Sequence, residues 1–137
     1  MSAAVCLDTS VVMRLLVREP VEQFQIAADF LAKQLANRRA VRVSDLVLAE
    51  AYFALQTFYQ IPKSDALEAI RQFVRHSGVV IGASALKVLA IPDLANAKPG
   101  FVDRLIHGSA VADGHTLATF EKAARKLPSS ELLQARP

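Results

Sequence analysis

The sequence has few of the features that would indicate secretion, a membrane span or a disulfide framework. It contains one cysteine, so no intrachain disulfide can form, which suits a reducing cytoplasm. Cys6 lies in an apolar run and is predicted to be a small core residue, not a nucleophile. No apolar run approaches the roughly 18 residues of a membrane span, and no basic segment typical of a signal peptide precedes the first apolar stretch. We therefore expect a cytoplasmic protein.

The charge balance is also undistinctive. The net charge is only +3, which permits nucleic-acid binding but does not by itself indicate it. Of the 137 residues, 53% are hydrophobic, enough to form a core without disulfides or metals as staples. There are no repeats, low-complexity tracts or Pro/Gly/Ser-rich linkers. The sequence therefore predicts a single domain over residues 1–137.

Short β-branched runs alternate along the chain with segments of helical spacing. Such alternation implies crossover units and an α/β fold, here three layers with a central, mostly parallel sheet of four to five short strands flanked by helices. Predicted strands cover residues 3–7, 41–43, 79–81, 116–119 and 131–133. Predicted helices cover residues 10–17, 20–37, 46–59, 64–77, 84–96, 101–112 and 121–126, with Pro92 weakening the helix over 84–96. In parallel sheets, sites lie beyond the carboxyl ends of the strands.

Most of the 13 acidic residues lie on polar helix faces, at helix starts or in turns. Asp45, for example, is predicted to cap the helix that follows it. Asp8 differs because it follows directly on the apolar run 3–7, where a carboxylate needs a cation, a helix N-terminus or hydrogen-bond donors. Thr9 or Ser10, which come next, are predicted to cap the first helix.

Glu50 is the second unusual acid. Nine of the ten residues 46–55 are apolar, and Glu50 is the exception. A helix this apolar is predicted to be buried nearly all round, which would make Glu50 a buried acid. The alternative is that Glu50 lies on a narrow solvent stripe.

Two further acids come late in the chain. Asp103 lies in the first turn of a predicted helix, where acids interact favourably with the helix dipole. His107 lies four residues later on the same face, as a surface residue, a ligand or a substrate contact. Glu121 follows a predicted strand and Thr119. Taken singly, each has an ordinary structural interpretation.

Taken in order, these acids indicate a cation site. Several carboxylates in one cleft repel one another unless a hard divalent cation lies between them. An all-oxygen ligand set without cysteine favours Mg²⁺ or Mn²⁺ over Zn²⁺.

With these acids in this order, the chain resembles the PIN domain, and within that family the VapC-type toxin ribonucleases of toxin–antitoxin pairs. The resemblance covers essentially the whole chain, and no single motif carries it. The matching pieces are Leu7-Asp8-Thr9-Ser10-Val11, Leu46-Val47-Leu48-Ala49-Glu50, Phe101-Val102-Asp103-Arg104-Leu105-Ile106 and Thr116-Leu117-Ala118-Thr119-Phe120-Glu121.

The resemblance implies that Asp8, Glu50, Asp103 and Glu121 bind Mg²⁺ or Mn²⁺ and serve catalysis. It also implies that hydroxyls such as those of Thr9, Ser10 and Thr119 hold an acid or a water on the metal. The chain departs from the family at two positions. Glu121 stands where the family usually has Asp, and His107 stands where it often has a small residue. His107 is expected to project toward the cleft.

The implied function is metal-dependent, endonucleolytic hydrolysis of RNA phosphodiester bonds, leaving a 5′-phosphate. Implied partners are RNA, a cognate antitoxin and a second copy of the chain in a homodimer, with apolar Phe53, Phe58 and Tyr59 as candidate contacts. Basic side chains near the acids would attract RNA; they are Arg14, Arg18, Arg104, Lys122, Arg125 and Lys126. The alternative is a catalytically weak or inactive PIN-like module that binds RNA or protein. Phosphatases of the haloacid dehalogenase type fit poorly, since they need Asp where Ser10 stands.

Overall fold

A computed structural model of the chain describes residues 3–134. The chain divides into two compact units, residues 1–82 and 83–137. The prediction of one domain over residues 1–137 is not tested by this division and stays a prediction. No helix within residues 3–134 is long and apolar enough to cross a membrane.

The first unit combines a small parallel sheet with four helices. Its elements are β1 (Val5–Cys6), α1 (Thr9–Val17), α2 (Val21–Ala36), β2 (Val41–Arg42), α3 (Asp45–Thr57) and α4 (Lys63–His76). Strand β1 pairs in parallel with β2, with Val5 opposite Val41, and Arg42 forms a further parallel bridge to Val80. The carboxyl ends of β1 and β2 therefore lie at the same edge, the edge that carries Asp8.

The second unit has the same alternation on a smaller scale. Its elements are α5 (Ala83–Leu89), a 3₁₀ turn (Leu94–Asn96), α6 (Phe101–Ala112), β3 (Leu117–Thr119), a 3₁₀ helix (Lys122–Lys126) and β4 (Ser130–Leu132). Strands β3 and β4 are parallel, with Leu117 opposite Ser130 and Thr119 opposite Leu132. The α/β class is confirmed, with parallel strand pairing in both units.

Local chemistry explains where several helices end. Gly78 follows α4 with φ +88, a left-handed conformation that glycine adopts without strain. A Cβ there would lie 2.8 Å from a methyl group at the end of the flexible Leu35 side chain, so the requirement for glycine comes mainly from the backbone conformation. The predicted helix over residues 84–96 is wrong in its extent. Helix α5 ends at Leu89, because Pro92 disfavours helical backbone in the residue before it and lacks an N–H.

Two burial predictions are also wrong. Cys6 is exposed rather than part of the core. Helix α3 is not buried all round: Leu46 is 70% exposed and Phe53 53% exposed. The buried face of α3 carries Leu48 and Leu55 together with its neighbours at helical spacing.

The core consists mainly of aliphatic side chains, with Tyr52 and Phe101 as its buried aromatics. The largest fully buried side chains are Val12, Val41, Val43, Leu48, Leu55, Leu67 and Ile70 in the first unit, and Phe101 in the second. Val12 and Leu48 lie near the amino ends of α1 and α3, the two helices that begin directly after the strands. Their burial fixes the helix starts at the carboxyl edge of the sheet, where the acids are found.

Candidate metal-binding carboxylates

Asp8 lies between β1 and α1 and is itself the N-cap of the helix. Its Oδ1 accepts a hydrogen bond of 3.2 Å from the Val11 backbone N–H and one of 2.6 Å from the Ser10 hydroxyl. The prediction that Thr9 or Ser10 caps this helix is therefore wrong. The carboxylate accepts the capping bond because its backbone is extended (φ −85, ψ 176), the usual N-cap conformation.

These hydrogen bonds also keep Asp8 ionised. The Ser10 hydroxyl and then the Val11 N–H lower the pKa of the Asp8 carboxyl below its ordinary value of 3.8. Both bonds use Oδ1. Asp8 therefore presents an oriented, charged oxygen at the sheet edge.

Glu50 lies on the exposed face of α3, so the alternative of a solvent stripe describes its position and the prediction of a buried acid is wrong. The Thr9 hydroxyl donates a hydrogen bond of 3.0 Å to Glu50 Oε1. Because Thr9 adjoins Asp8 in the chain, this bond links the two acids of the first unit. Exposed Leu46 and Phe53 flank Glu50 on the same face, one helical turn away on either side.

Asp45 does not cap α3, so the prediction that it does is wrong. The cap of α3 is Ser44, whose hydroxyl accepts from Val47 N–H, and Asp45 is the first residue of the helix. Partial burial raises the pKa of the Asp45 carboxyl above its ordinary value. Asp45 follows β2 as Asp8 follows β1, at the same edge of the sheet. This position just after a strand is the feature of the sequence that would have singled out Asp45 as a candidate site residue.

In the second unit, Asp103 and Glu121 line one pocket of about 140 Å³, whose remaining lining is mostly apolar. Asp103 lies exposed in the first turn of α6 and has no hydrogen-bond partner in the described part of the chain. Glu121 is the N-cap of the following 3₁₀ helix, and its Oε1 accepts a bond of 3.0 Å from Ala123 N–H. The Thr119 hydroxyl accepts from the Glu121 backbone N–H at 3.0 Å, so it holds the backbone of the acid.

His107 is half-buried on α6 and contacts the backbone of another segment. Its Nε2 lies 2.5 Å from the carbonyl oxygen of Pro128. The sequence alone did not indicate this contact, because Pro128 is 21 residues away along the chain.

The four predicted acids suit a hard divalent cation by their chemistry. None of them forms an ion pair with a described Lys, Arg or His side chain, so their charge is uncompensated within residues 3–134. Asp8, Glu50 and Glu121 each have a carboxylate oxygen that accepts a hydrogen bond, whereas Asp103 has none in the described part of the chain. In neither unit do three or more described His, Cys, Asp or Glu side chains converge on one point at metal-binding distance. The fit therefore rests on the oxygen chemistry of two carboxylates in each unit.

The basic residues divide into two groups. Arg14 donates to the Glu19 carbonyl at 2.7 Å and to the Tyr59 hydroxyl at 3.2 Å, and Arg104 donates to the Pro99 carbonyl at 2.6 Å. These two guanidinium groups are therefore engaged in hydrogen bonds within the chain. Of the other basic residues predicted to attract RNA, Arg18, Lys122, Arg125 and Lys126 are exposed and have no side-chain hydrogen-bond partner in residues 3–134. The Arg18 guanidinium lies 5.5 Å from the centroid of the Phe24 ring.

Residues 5–129 match the PIN domain family, so the match contains both units and all four acids. The chain belongs to the PIN domain family. PIN domains are a family of nucleases and generally use divalent metal ions. No curated protein and no solved structure shows significant similarity to the chain.

Proposed function

We propose that the protein is a metal-dependent endoribonuclease of the VapC type, the toxin of a toxin–antitoxin pair. One observation carries the proposal. In each unit, an acid follows the carboxyl end of a parallel strand and caps the next helix with one of its two carboxylate oxygens. These acids are Asp8 after β1 and Glu121 after β3. Caps alone do not require an acid, since Ser and Asn cap equally well.

In this proposal Asp8, Glu50, Asp103 and Glu121 are the metal-binding carboxylates. Bound Mg²⁺ or Mn²⁺ would supply the Lewis acid that activates the attacking water and stabilises charge on the scissile phosphate. Asp8, whose pKa is lowered, contributes a full negative charge at neutral pH. Thr9 orients Glu50, whose second carboxylate oxygen can take a proton from the attacking water.

Binding of RNA would rely on the exposed basic residues of the second unit. Lys122, Arg125 and Lys126 lie on the 3₁₀ helix that begins at Glu121. Phosphate contacts by such side chains offset the repulsion between RNA and the acids. Phe120 is 73% exposed beside Glu121 and offers an aromatic face on which an unpaired base can stack.

An antitoxin and a second copy of the chain are the proposed protein partners. Exposed apolar surface on α3 and just beyond it supports a protein contact: Leu46, Phe53 and Phe58, which is 80% exposed. Leu46 and Phe53 flank Glu50, so a protein bound to this face also covers Glu50. Covering an acid of the active site is the property required of an inhibitory antitoxin.

The test is RNA cleavage by the purified protein with Mg²⁺, with Mn²⁺ and with EDTA. We expect internal cuts, 5′-phosphate ends and loss of activity in EDTA. A matched control replaces Asp29, an exposed acid on α2 away from the strand ends, with Asn. Absence of cleavage with both metals would support the alternative of an inactive PIN-like binding module. Cleavage that persists unchanged in Asp8→Asn would refute the proposed metal site.

A further inference from the structure

His107 forms a contact that the proposed function does not use. The residue lies on α6, one turn after Asp103 and on the same helix face. Its Nε2 is 2.5 Å from the Pro128 carbonyl oxygen. A carbonyl oxygen can only accept, so Nε2 carries the proton and donates. The side chain therefore ties α6 to the segment that precedes β4.

The segment that His107 contacts is the one that begins at Glu121. Glu121 is held at its start, where the Thr119 hydroxyl accepts from its N–H. The 3₁₀ helix follows, and the segment reaches Pro128 just before β4 begins at Ser130. His107 holds this far end. The segment from Glu121 to Pro128 is thus fixed at both ends, and the pocket shared by Asp103 and Glu121 lies beside it.

The side chains that line this pocket are mostly apolar, and they include Ile106, Leu117, Ala124 and Leu127. The backbone hydrogen bonds near Pro128, such as that from Leu117 N–H to the Ser129 carbonyl at 2.8 Å, join the segment to β3 and not to α6. Apolar contact favours close packing but is non-directional, so it tolerates sliding of one element along another. A hydrogen bond between a ring nitrogen and a carbonyl oxygen is directional and fixes a distance. Among these contacts, the His107 bond is the one suited to setting the position of the segment along α6.

We infer that His107 is a positioning residue that sets the separation of the Asp103 and Glu121 carboxylates. It acts through the backbone of residues 121–128 and touches neither substrate nor metal. The consequence for metal binding rests on the proposed function. The positional effect on Glu121 does not, since it is a property of the second unit alone.

Three variants of the full chain separate a positioning role from a purely structural one. His107→Leu keeps the bulk and removes the donor. His107→Gln restores an N–H donor at a similar distance from the backbone. His115→Leu is the matched control, because His115 is an exposed histidine of the same unit whose side chain has no hydrogen-bond partner in residues 3–134.

The first measurement needs no metal. Amide hydrogen exchange in EDTA reports on Ala123, whose N–H is held by the Glu121 side chain, and on Leu127, whose N–H bonds to the Ala124 carbonyl. We expect exchange at both amides to be about tenfold faster in His107→Leu and restored in His107→Gln. Unchanged protection of Ala123 and Leu127 in His107→Leu would overturn the inference.

The second measurement titrates Mn²⁺ alone into each variant, followed by its paramagnetic resonance. We expect His107→Leu to bind Mn²⁺ about tenfold more weakly, as is typical when a group that orients a ligand is lost. His107→Gln and His115→Leu should bind as the wild type does. In a Glu121→Ala background the His107→Leu effect should vanish. An equal loss in that background would overturn the inference, because His107 would then act independently of Glu121.

Failure of the inference is distinguishable from failure of the proposed function. If the wild type binds no Mn²⁺ and cuts no RNA, the proposed function fails, and the exchange of Ala123 alone decides the role of His107. A ¹⁵N–¹H spectrum of the wild-type imidazoles provides a check that needs no variant and covers the case in which His107→Leu fails to fold. A proton on His107 Nε2 supports the inference, and its absence overturns it.

Discussion

Replacing Asp8 by Asn and by Ala separates its role as a helix cap from its proposed role as a metal ligand. As the N-cap of α1 it needs only an oxygen that accepts from Val11 N–H, and the Asn side chain retains one. As a metal ligand it needs a negative charge, which both variants lack. Asp8→Asn should therefore abolish activity without changing stability, whereas Asp8→Ala should abolish activity and also lower stability.

The magnitude follows from the capping geometry. Replacing an N-cap acid by Ala costs about 1 kcal/mol, and replacing it by Asn costs only a few tenths. With an unfolding entropy of about 2.1 cal/mol/K per residue, 1 kcal/mol lowers the Tm of a chain of this size by about 3 °C. Removing Asp8 also relieves its repulsion with other carboxylates. Because Asp8 and Glu50 are both exposed, water screens that repulsion, and the lost cap dominates.

Thermal unfolding in EDTA and RNA cleavage with Mn²⁺ measure the two roles. We expect Asp8→Asn to melt within about 1 °C of the wild type and to lose at least about a hundredfold in cleavage rate. Asp8→Ala should lose as much activity and melt about 3 °C lower. Equal melting temperatures of the two variants would refute the capping argument. Wild-type cleavage by Asp8→Asn would refute the metal-ligand argument.

The pH dependence provides a further check on Asp8. Its pKa is lowered in the folded protein, first by the Ser10 hydroxyl and then by the Val11 N–H. A lowered pKa means that ionised Asp8 stabilises the fold above its unfolded pKa, and that this contribution is lost as the pH falls through the folded value. The stability difference between wild type and Asp8→Asn should thus shrink as the pH is lowered below 3.8. A difference that grows on acidification would contradict this assignment.

Three other substitutions test separate parts of the structure. Thr9→Val removes the hydrogen bond to Glu50 and should slow cleavage about tenfold, whereas Thr9→Ser should cut normally; equal rates would contradict the orienting role. Glu121→Gln keeps an oxygen for the capping bond but loses the charge, so Mn²⁺ affinity should fall while the Tm stays unchanged. Gly78→Ala should destabilise the protein by about 1 kcal/mol in urea unfolding, since φ is +88 and an L side chain is strained there; a neutral result would refute this argument from backbone conformation.

Periodicity and turn chemistry were sufficient to predict much of the fold. Alternating strands and helices predicted the α/β class, and Gly78 correctly predicted the end of α4. These signals are local, because hydrogen bonding and side-chain spacing within a helix depend on neighbours along the chain. The wrong extent of the predicted helix over residues 84–96 has a local cause too, because Pro92 disfavours helical backbone in the residue before it.

The candidate site was predicted less completely. The acids were singled out by their positions after strands and within helices, but their surroundings were not. Glu50 is exposed although nine of the ten residues around it are apolar, because α3 presents Leu46 and Phe53 to solvent. Hydrophobic composition indicates how much surface a helix can bury, and not how much its neighbours cover.

The sequence by itself determined the order of elements, the residues that can bind a divalent cation and the family to which the chain belongs. The tertiary structure decided which atoms are held and which are free. It made Asp8 rather than Ser10 the cap of α1, joined Thr9 to Glu50 across 41 residues and placed His107 against Pro128. Contacts between residues far apart in the chain depend on how helices and strands pack. Local sequence patterns do not specify which atoms that packing brings together.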